Sequence, residues 1–177
     1  RGLMRFSIIS TRNMARRALV TLALIMALAG CAELEQLAQV ETPALGGEGE
    51  QATVTRVIDG DTIDVRLNGR TERVRYIGIN TPERDEVCYE AATAANAALV
   101  SGKQVTLVRD VSETDSYGRL LRYVYVGDVF VNAEMVAGGY AESRAYPPDT
   151  RQQMYLDSLE RAAKAAGRGC HPTGVFD

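Results

Sequence analysis

Apolar and polar residues alternate along several short stretches in the middle of the chain. In Thr62–Leu67 every second residue is apolar, which is the period of a half-buried strand. Asn68-Gly69 follows, the pair most typical of a two-residue hairpin turn, because both turn positions need a positive φ. The pattern predicts five strands: Ala52–Asp59, Thr62–Leu67, Thr71–Ile79, Gln104–Val111 and Leu120–Val126.

Three other stretches have the composition or the period of helices. The alanine-rich run Glu90–Val100 ends before Ser101-Gly102, which predicts a helix with glycine just beyond its C-terminus. Asn132 is expected to cap a brief helix that stops at Gly138. Asp149 is expected to cap a last helix with an apolar face, which ends at Gly167.

The order of these elements indicates the fold class. Five strands with a helix after the third, followed by two C-terminal helices, predict an α+β, mainly β protein built on a five-stranded OB-fold barrel. Many barrels of this kind bind nucleic acids or oligosaccharides, but the fold alone does not identify the ligand.

The N-terminal residues differ in composition from the rest of the chain. Residues 1–30 carry five arginines and no acidic residue, and include the 12-residue apolar run Ala18–Ala29. That run is too short for a membrane-spanning helix and suits a signal peptide. The next residues, Leu28-Ala29-Gly30-Cys31, resemble the lipobox of bacterial lipoproteins, which implies cleavage after residue 30 and lipid attachment to Cys31. The alternative is an ordinary secretory peptide with a chance cysteine.

The segment after the predicted lipid site is acidic. Residues 32–50 contain five glutamates, no lysine or arginine, and a glycine-rich end. We therefore expect residues 31–50 to be a flexible tether and residues 51–177 to be the folded domain. A short amphipathic helix in the first half of the tether is the alternative. With the lipid on Cys31, the protein is expected to be an exported, membrane-anchored lipoprotein of the bacterial cell envelope, in the outer membrane or on the periplasmic face if the host has two membranes.

Composition and charge limit the remaining function classes. The 177 residues are 46% hydrophobic and 24% charged, which argues against collagen-like, wholly disordered and polytopic membrane proteins. The chain has one histidine, so histidine-rich metal centres and histidine-based catalysis are disfavoured. Its formal net charge is −3, with 15 basic and 18 acidic residues in 51–177. A broad basic surface for nucleic acid is therefore not expected, although a few local cations remain compatible with this charge.

Three cysteines are present, and Cys31 is assigned to the lipid. In an oxidising compartment the other two, Cys88 and Cys170, are candidates for one disulfide. Two free buried thiols are the alternative.

Three short motifs carry the residues suited to chemistry. They are Asp59-Gly60-Asp61-Thr62, the run Arg75 to Glu83 (RYIGINTPE), and Asp115-Ser116-Tyr117-Gly118-Arg119. Taken singly, each is compatible with an ordinary turn bearing solvated side chains. Together they offer oxygen ligands for a hard cation, a free carboxylate, and two arginines for an anionic substrate.

These motifs, in this order and followed by Tyr146-Pro147-Pro148-Asp149, resemble the staphylococcal nuclease family over nearly all of residues 53–170. The resemblance implies an OB-fold enzyme that cleaves DNA and RNA with one Ca²⁺ ion, with little base specificity and a preference for single strands. It implies that Asp61 and the backbone carbonyl of Thr81 are metal ligands. The remaining roles it implies are phosphate binding by Arg75 and Arg119, general-base action by Glu83, and nucleotide contacts by Tyr117 and Tyr146.

Two positions depart from the family pattern. Asn80 stands where the family usually has a second metal-binding aspartate, and Ser116 stands where a lysine is often found. An amide oxygen still coordinates Ca²⁺, but the site has one negative charge fewer.

We therefore expect a monomeric, Ca²⁺-dependent nuclease. The alternative is a catalytically weak or inactive nuclease-like barrel that only binds nucleic acid or a protein partner. The presence of Arg75, Glu83 and Arg119 together favours the enzyme, and Asn80 favours the binder. A carbohydrate-binding barrel would leave both arginines unexplained.

Overall fold

The computed structural model describes residues 49–177. The predicted signal peptide, the lipid site Cys31 and almost all of the predicted tether lie outside the described residues. Within residues 49–177, no helix is both long and apolar enough to cross a membrane.

Five longer strands and three helices make up most of the described chain. The strands are β1 (Glu50–Val57), β2 (Thr62–Leu67), β3 (Arg70–Tyr76), β5 (Gln104–Val108) and β6 (Leu120–Val126). Two-residue strands are β4 (Ile79–Asn80), β7 (Val129–Phe130) and β8 (Glu142–Ser143). The helices are α1 (Tyr89–Val100), α2 (Val131–Ala137) and α3 (Gln153–Ala165), and a 3₁₀ turn follows at His171–Thr173.

The five longer strands close into a barrel. Antiparallel pairing joins β3 to β2, β2 to β1, β1 to β5 and β5 to β6, and the parallel pair β3–β6 completes the circle. Arg75 of β3 lies opposite Leu121 of β6 in that last pair. The barrel confirms the predicted OB-like α+β class, and it brings the end of β3 next to the segment that precedes β6.

The strand pattern explains the core. Ile63, Val65 and Leu67 of β2 are buried, whereas Arg66 between them is exposed, as the period of two requires. The turn at Asn68-Gly69 has φ values of 50° and 81°, confirming the predicted hairpin. Helix α2 adds Val131, Met135 and Val136 to the same apolar core.

Some predicted element ends were wrong for identifiable reasons. Strand β3 stops at Tyr76 rather than Ile79, since Gly78 turns the chain at φ 78°. Asn132 does not cap α2. Its buried side chain accepts a hydrogen bond from the Val124 amide and donates one to the Ile77 carbonyl, so it joins α2 to β6 and to the chain after β3.

Asp149 also has a different role from the predicted helix cap. Its Oδ1 accepts hydrogen bonds from the amides of Val111 and Ser112, at 2.9 and 2.8 Å, and α3 begins four residues later. The buried Asp149 side chain therefore fixes the segment after β5 to the segment before α3.

The two candidate cysteines are joined. Cys88, directly before α1, and Cys170, after α3, form a disulfide with Cα atoms 5.8 Å apart. It connects two parts of the chain that are 82 residues apart.

Candidate active site

The loop between β1 and β2 holds the carboxylate at the centre of the site. Asp61 is 5% exposed and follows Gly60, where an added Cβ would lie 2.8 Å from the Thr81 side chain. Helix α1 holds this loop in place through its buried residue Asn96. The Asn96 Nδ2 donates to the Asp59 carbonyl, and its Oδ1 accepts from the Tyr76 hydroxyl. The absence of a side chain at Gly60 thus allows the Asp61 and Thr81 loops to lie against each other.

Asp61 is surrounded by donors. Its Oδ2 accepts hydrogen bonds from the backbone amide and the hydroxyl of Thr81, at 3.0 and 2.9 Å, and lies 3.1 Å from Nη2 of Arg75. Its Oδ1 accepts from the Thr62 hydroxyl. Burial raises the pKa of Asp61 from 3.8 to about 6, although Arg75 acts to lower it, and Asp59 adds to the rise. The positive charge of Arg75 therefore does not fully offset the cost of burying the ionised carboxylate.

Arg75 is held by several acceptors at once. Its Nη1 donates to the carbonyls of Tyr76 and Ile79, and its Nη2 bridges Asp61 and the amide oxygen of Asn80, 3.4 Å away. The side chain is only 12% exposed. The guanidinium group is thereby fixed beside the carboxylate, with Tyr146 above it at 5.8 Å from the ring centroid.

The second arginine is fixed by a tight turn before β6. Asp115 Oδ1 accepts from the amides of Tyr117 and Arg119, and Asp115 Oδ2 accepts from Nε of Arg119 at 2.6 Å. Gly118 has φ 79°, which the turn requires. Arg119 stacks on Tyr117, its guanidinium carbon 5.5 Å from the ring centroid, and Tyr117 itself is 84% exposed.

The two arginines line one cavity of about 210 Å³. Its walls include both tyrosines, Tyr117 and Tyr146, and the apolar side of Leu121. The barrel closure between β3 and β6 produces this arrangement, since Arg75 lies in one strand and Arg119 directly precedes the other. Two guanidinium groups with aromatic rings at the rim form a suitable cavity for a phosphate joined to a nucleoside.

Glu83 lies at the edge of this group. It is exposed, and its backbone amide donates to Oε2 of Glu86 at 2.7 Å. Among residues 49–177, no hydrogen bond joins the Glu83 carboxylate to Asp61, Arg75 or Arg119. The structure thus brings together Asp61, Asn80, Thr81 and Arg75, and brings Arg119 and the two tyrosines to one cavity with Arg75, but leaves Glu83 on the adjoining exposed loop.

The oxygen atoms around Asp61 suit a hard cation. Carboxylate, amide and backbone carbonyl oxygens are the ligands that Ca²⁺ takes, and Asp61, Asn80 and Thr81 offer one of each kind. A cation bound beside Asp61 would favour its ionised form, because an opposite charge nearby stabilises a carboxylate. No cluster of three or more acidic, histidine or cysteine side chains able to hold a metal occurs within 49–177. The residues that suit a hard cation here are therefore one carboxylate and two neutral oxygen ligands.

Two residues of the site, Asn96 and Glu142, stand outside the three motifs, and a third, Asp115, has no predicted role within its motif. Asn96 is a polar residue in an alanine-rich helix, which is a weak signal for a buried hydrogen-bonding role. Asp115 begins a turn that ends in Gly118, a pattern that predicts the turn but not its contact with Arg119. No sequence pattern marks Glu142, because β8 is only two residues long. Its carboxylate nevertheless accepts a hydrogen bond from Asn80.

Comparison with known proteins identifies the family of the chain. The family model described as staphylococcal nuclease homologue matches residues 73–170. The chain is 34% identical over 122 residues to a thermonuclease of Staphylococcus intermedius, covering 66% of this chain and 73% of the relative. It is 33% identical over 132 residues to a thermonuclease of Staphylococcus hyicus, covering 70% and 78%. An endonuclease of Bacillus subtilis (strain 168), YncB, is 38% identical over 118 residues, covering 61% and 56%. With its barrel, its motifs and these matches, the chain belongs to the staphylococcal nuclease family.

Proposed function

We propose that this protein is a Ca²⁺-dependent nuclease that hydrolyses phosphodiester bonds of DNA and RNA with little sequence specificity. The observation that carries the proposal is the cavity in which Arg75 and Arg119 face a common space beside the buried Asp61. The family membership supports the nuclease chemistry, and the relatives named thermonuclease and endonuclease support the substrate class.

The arginines suit the charge that develops during hydrolysis. Attack on a phosphodiester places additional negative charge on the phosphoryl oxygens, and a planar guanidinium group matches two of those oxygens. Both groups are fixed before substrate arrives, Arg75 by backbone carbonyls and Arg119 by Asp115. A donor fixed as Arg119 is needs little reorganisation in the transition state, whereas the Nη groups of Arg75 must exchange protein oxygens for phosphoryl oxygens.

Asp61, Asn80 and the Thr81 carbonyl are the residues that would hold the cation. When bound there, a divalent ion supplies charge stabilisation at the phosphoryl group and lowers the pKa of coordinated water. Glu83 is proposed to accept the proton of the attacking water. Its exposed position on the loop after Thr81 leaves its carboxylate accessible to water.

The aromatic rings account for weak base selectivity. Tyr117 is 84% exposed and Tyr146 is 39% exposed, and both lie at the cavity that holds the arginines. Every base presents a π face, so stacking on these rings would hold single strands without reading their sequence.

Hydrolysis of a fluorescent single-stranded DNA oligonucleotide tests this proposal. The full chain in detergent is expected to cleave it with Ca²⁺ and to stop when EDTA is added. Arg119→Ala and Arg75→Ala are each expected to lower kcat/KM on the order of 10²-fold or more, and Glu83→Gln to lower kcat. Arg161→Ala, which removes an exposed arginine from α3, is the matched control and should leave the rate unchanged. Full activity in both Glu83→Gln and Arg119→Ala contradicts the assignment.

A second function, nucleic-acid binding without hydrolysis, is favoured by two features of the site. Both Nη atoms of Arg75 already contact protein oxygens, and Asn80 stands where the family usually has a metal-binding aspartate. In that case the oligonucleotide should bind with or without EDTA and remain intact over hours. Product analysis on the same samples distinguishes the two functions.

We also propose that the protein is exported and anchored to the cell envelope through a lipid on Cys31. The support is the lipobox-like sequence Leu28 to Cys31 and the disulfide between Cys88 and Cys170, which suits an oxidising compartment. Expression of Cys31→Ser beside the wild type tests the anchor. Wild-type protein should take up labelled palmitate and sediment with membranes, whereas Cys31→Ser should do neither. Equal membrane recovery of the two proteins contradicts the anchor.

A further inference from the structure

The groups that would form the proposed cation site carry little net negative charge. Asp61 is the one carboxylate of the three proposed ligands, and Arg75 lies 3.1 Å from it with a full positive charge. Asn80 and the Thr81 carbonyl are neutral. A divalent cation placed among these oxygens would therefore meet little net negative charge from its own ligands.

A second carboxylate lies directly behind Asn80. Strands β4 and β8 pair antiparallel, with Asn80 opposite Glu142. Nδ2 of Asn80 donates to Oε1 of Glu142 at 3.0 Å, and the Glu142 side chain is 21% exposed. Opposed residues in an antiparallel pair have side chains on the same face, so the pairing of these two strands fixes the contact.

This contact determines which way the Asn80 amide faces. A carboxylate only accepts hydrogen bonds, so it selects the NH₂ group of the amide. The amide oxygen is left on the opposite side, where it lies 3.4 Å from Nη2 of Arg75, the group that also contacts Asp61. Glu142 thereby holds the amide oxygen toward the proposed ligands.

The strand that carries Glu142 is itself well anchored. The Ser143 hydroxyl donates to Asp157 of α3 at 2.7 Å and accepts from Gln153 at 2.8 Å. The backbone amide of Arg144 donates to the Gly78 carbonyl at 2.9 Å. Glu142 is therefore held in place from both sides, by α3 and by the turn after β3.

We propose that Glu142 is a positioning residue of the cation site, which orients the Asn80 amide oxygen and supplies the negative charge that the ligands lack. This inference rests on the proposed function, because it concerns the same cation. Arg144, whose Nη1 lies 3.1 Å from Oε1 of Glu142 and whose side chain is 57% exposed, offsets part of that charge.

Calorimetric titration of the full chain with CaCl₂, without nucleic acid, tests the role apart from catalysis. Glu142→Gln keeps an acceptor for Asn80 and loses only the charge, and it should weaken Ca²⁺ binding about tenfold. The charge-relocated double variant Asn80→Asp with Glu142→Gln should bind within a fewfold of the wild type. Arg144→Gln should bind two- to threefold more tightly, which a purely structural contact would not produce. Asp128→Asn, an equal charge change in the exposed turn after β6, is the control and should bind as the wild type does.

The outcomes separate this inference from the function on which it rests. Wild-type binding with an unchanged Kd in Glu142→Gln overturns the role of Glu142 and leaves the nuclease proposal standing. A wild type that shows no Ca²⁺ binding overturns both the calcium site and this role. Thermal melts of each variant, expected to agree within a few degrees, establish that a weaker Kd does not come from unfolding.

Discussion

Asp61, which is proposed to bind the cation, is unfavourable for folding in its ionised form. Four donor groups contact its buried carboxylate, yet burial still raises its pKa to about 6. Between about pH 4 and pH 6 the folded protein keeps a proton on Asp61. The unfolded chain, with a pKa near 3.8, has already released that proton in this range. The ionised form is thus a cost to the metal-free fold.

That cost predicts a pH dependence with a definite sign. Because the folded pKa is the higher one, the Asp61 contribution to the free energy of unfolding decreases as pH rises from about 4 to 6. Asp61→Asn lacks this titration. The stability of Asp61→Asn relative to the wild type should therefore increase by about 2 kcal/mol between pH 4 and pH 7 in EDTA. Urea denaturation at each pH measures it.

The control for this prediction is the same comparison in millimolar CaCl₂. A bound cation stabilises the ionised carboxylate, so the wild type should regain stability at pH 7 while Asp61→Asn should not. A relative stability that stays flat across pH 4 to 7 in EDTA contradicts the pKa shift.

Single residues also mark the limit of sequence reasoning. Asp61, Arg75 and Arg119 stand in motifs that indicate their chemistry, and the structure brings Asp61 to Arg75 and both arginines to one cavity. Asn132 has no such motif, and its pattern favours a helix cap. Its actual contacts, with Val124 and Ile77, depend on the packing of α2 against the barrel, which no local pattern encodes.

At the scale of elements, the long strands were predictable and the short ones were not. The alternation in β2 and the Asn68-Gly69 turn are local signals, and both are confirmed. Strands β4 and β8 have two residues each, which is too few to show a period, and they form only because the chain after β3 meets the chain before α3. The contact between Asn80 and Glu142 arises from that pairing, so it could not be predicted from the sequence.

The disulfide links the loop after Thr81 to the chain after α3. Cys88 ends the exposed loop that begins near Glu83, and Cys170 follows α3 and is fully buried. The Cys170 amide also donates to the Gly139 carbonyl, so the cross-link holds the loop to the region after α2.

Replacing both cysteines by alanine is expected to lower the free energy of unfolding by about 4 kcal/mol, since the bridge closes a loop of 82 residues in the unfolded chain. Chemical denaturation of the double variant and of the wild type measures the difference. Reduced wild type should match the double variant to within about 1 kcal/mol, the difference expected from small packing changes. If reduction leaves the denaturation midpoint unchanged, the bridge does not stabilise the fold.

At the scale of the whole molecule the net charge matters, because an acidic domain is proposed to bind a polyanion. Residues 51–177 carry 15 basic and 18 acidic side chains, and several arginines are already paired with carboxylates. Arg122, for example, is 2% exposed and contacts both Glu50 and Glu113. The cations at the proposed phosphate cavity are Arg75 and Arg119, each of which is also paired with a carboxylate, Asp61 or Asp115.

Two phosphate contacts predict that substrate binding depends only weakly on salt concentration. The logarithm of the association constant for a single strand falls with the logarithm of salt concentration by about 0.7 for each phosphate neutralised, so two contacts give a slope of roughly −1.4. Fluorescence anisotropy of a labelled oligonucleotide with Glu83→Gln, at fixed Ca²⁺ and varied KCl, measures the slope without hydrolysis. Arg119→Ala in the same background should reduce the slope by about half. A slope steeper than about −4 would mean that a wider basic surface binds the strand, and the two-arginine cavity would then be only part of the interface. A slope near the expected value explains how an acidic nuclease binds a strand through local contacts and releases its product readily.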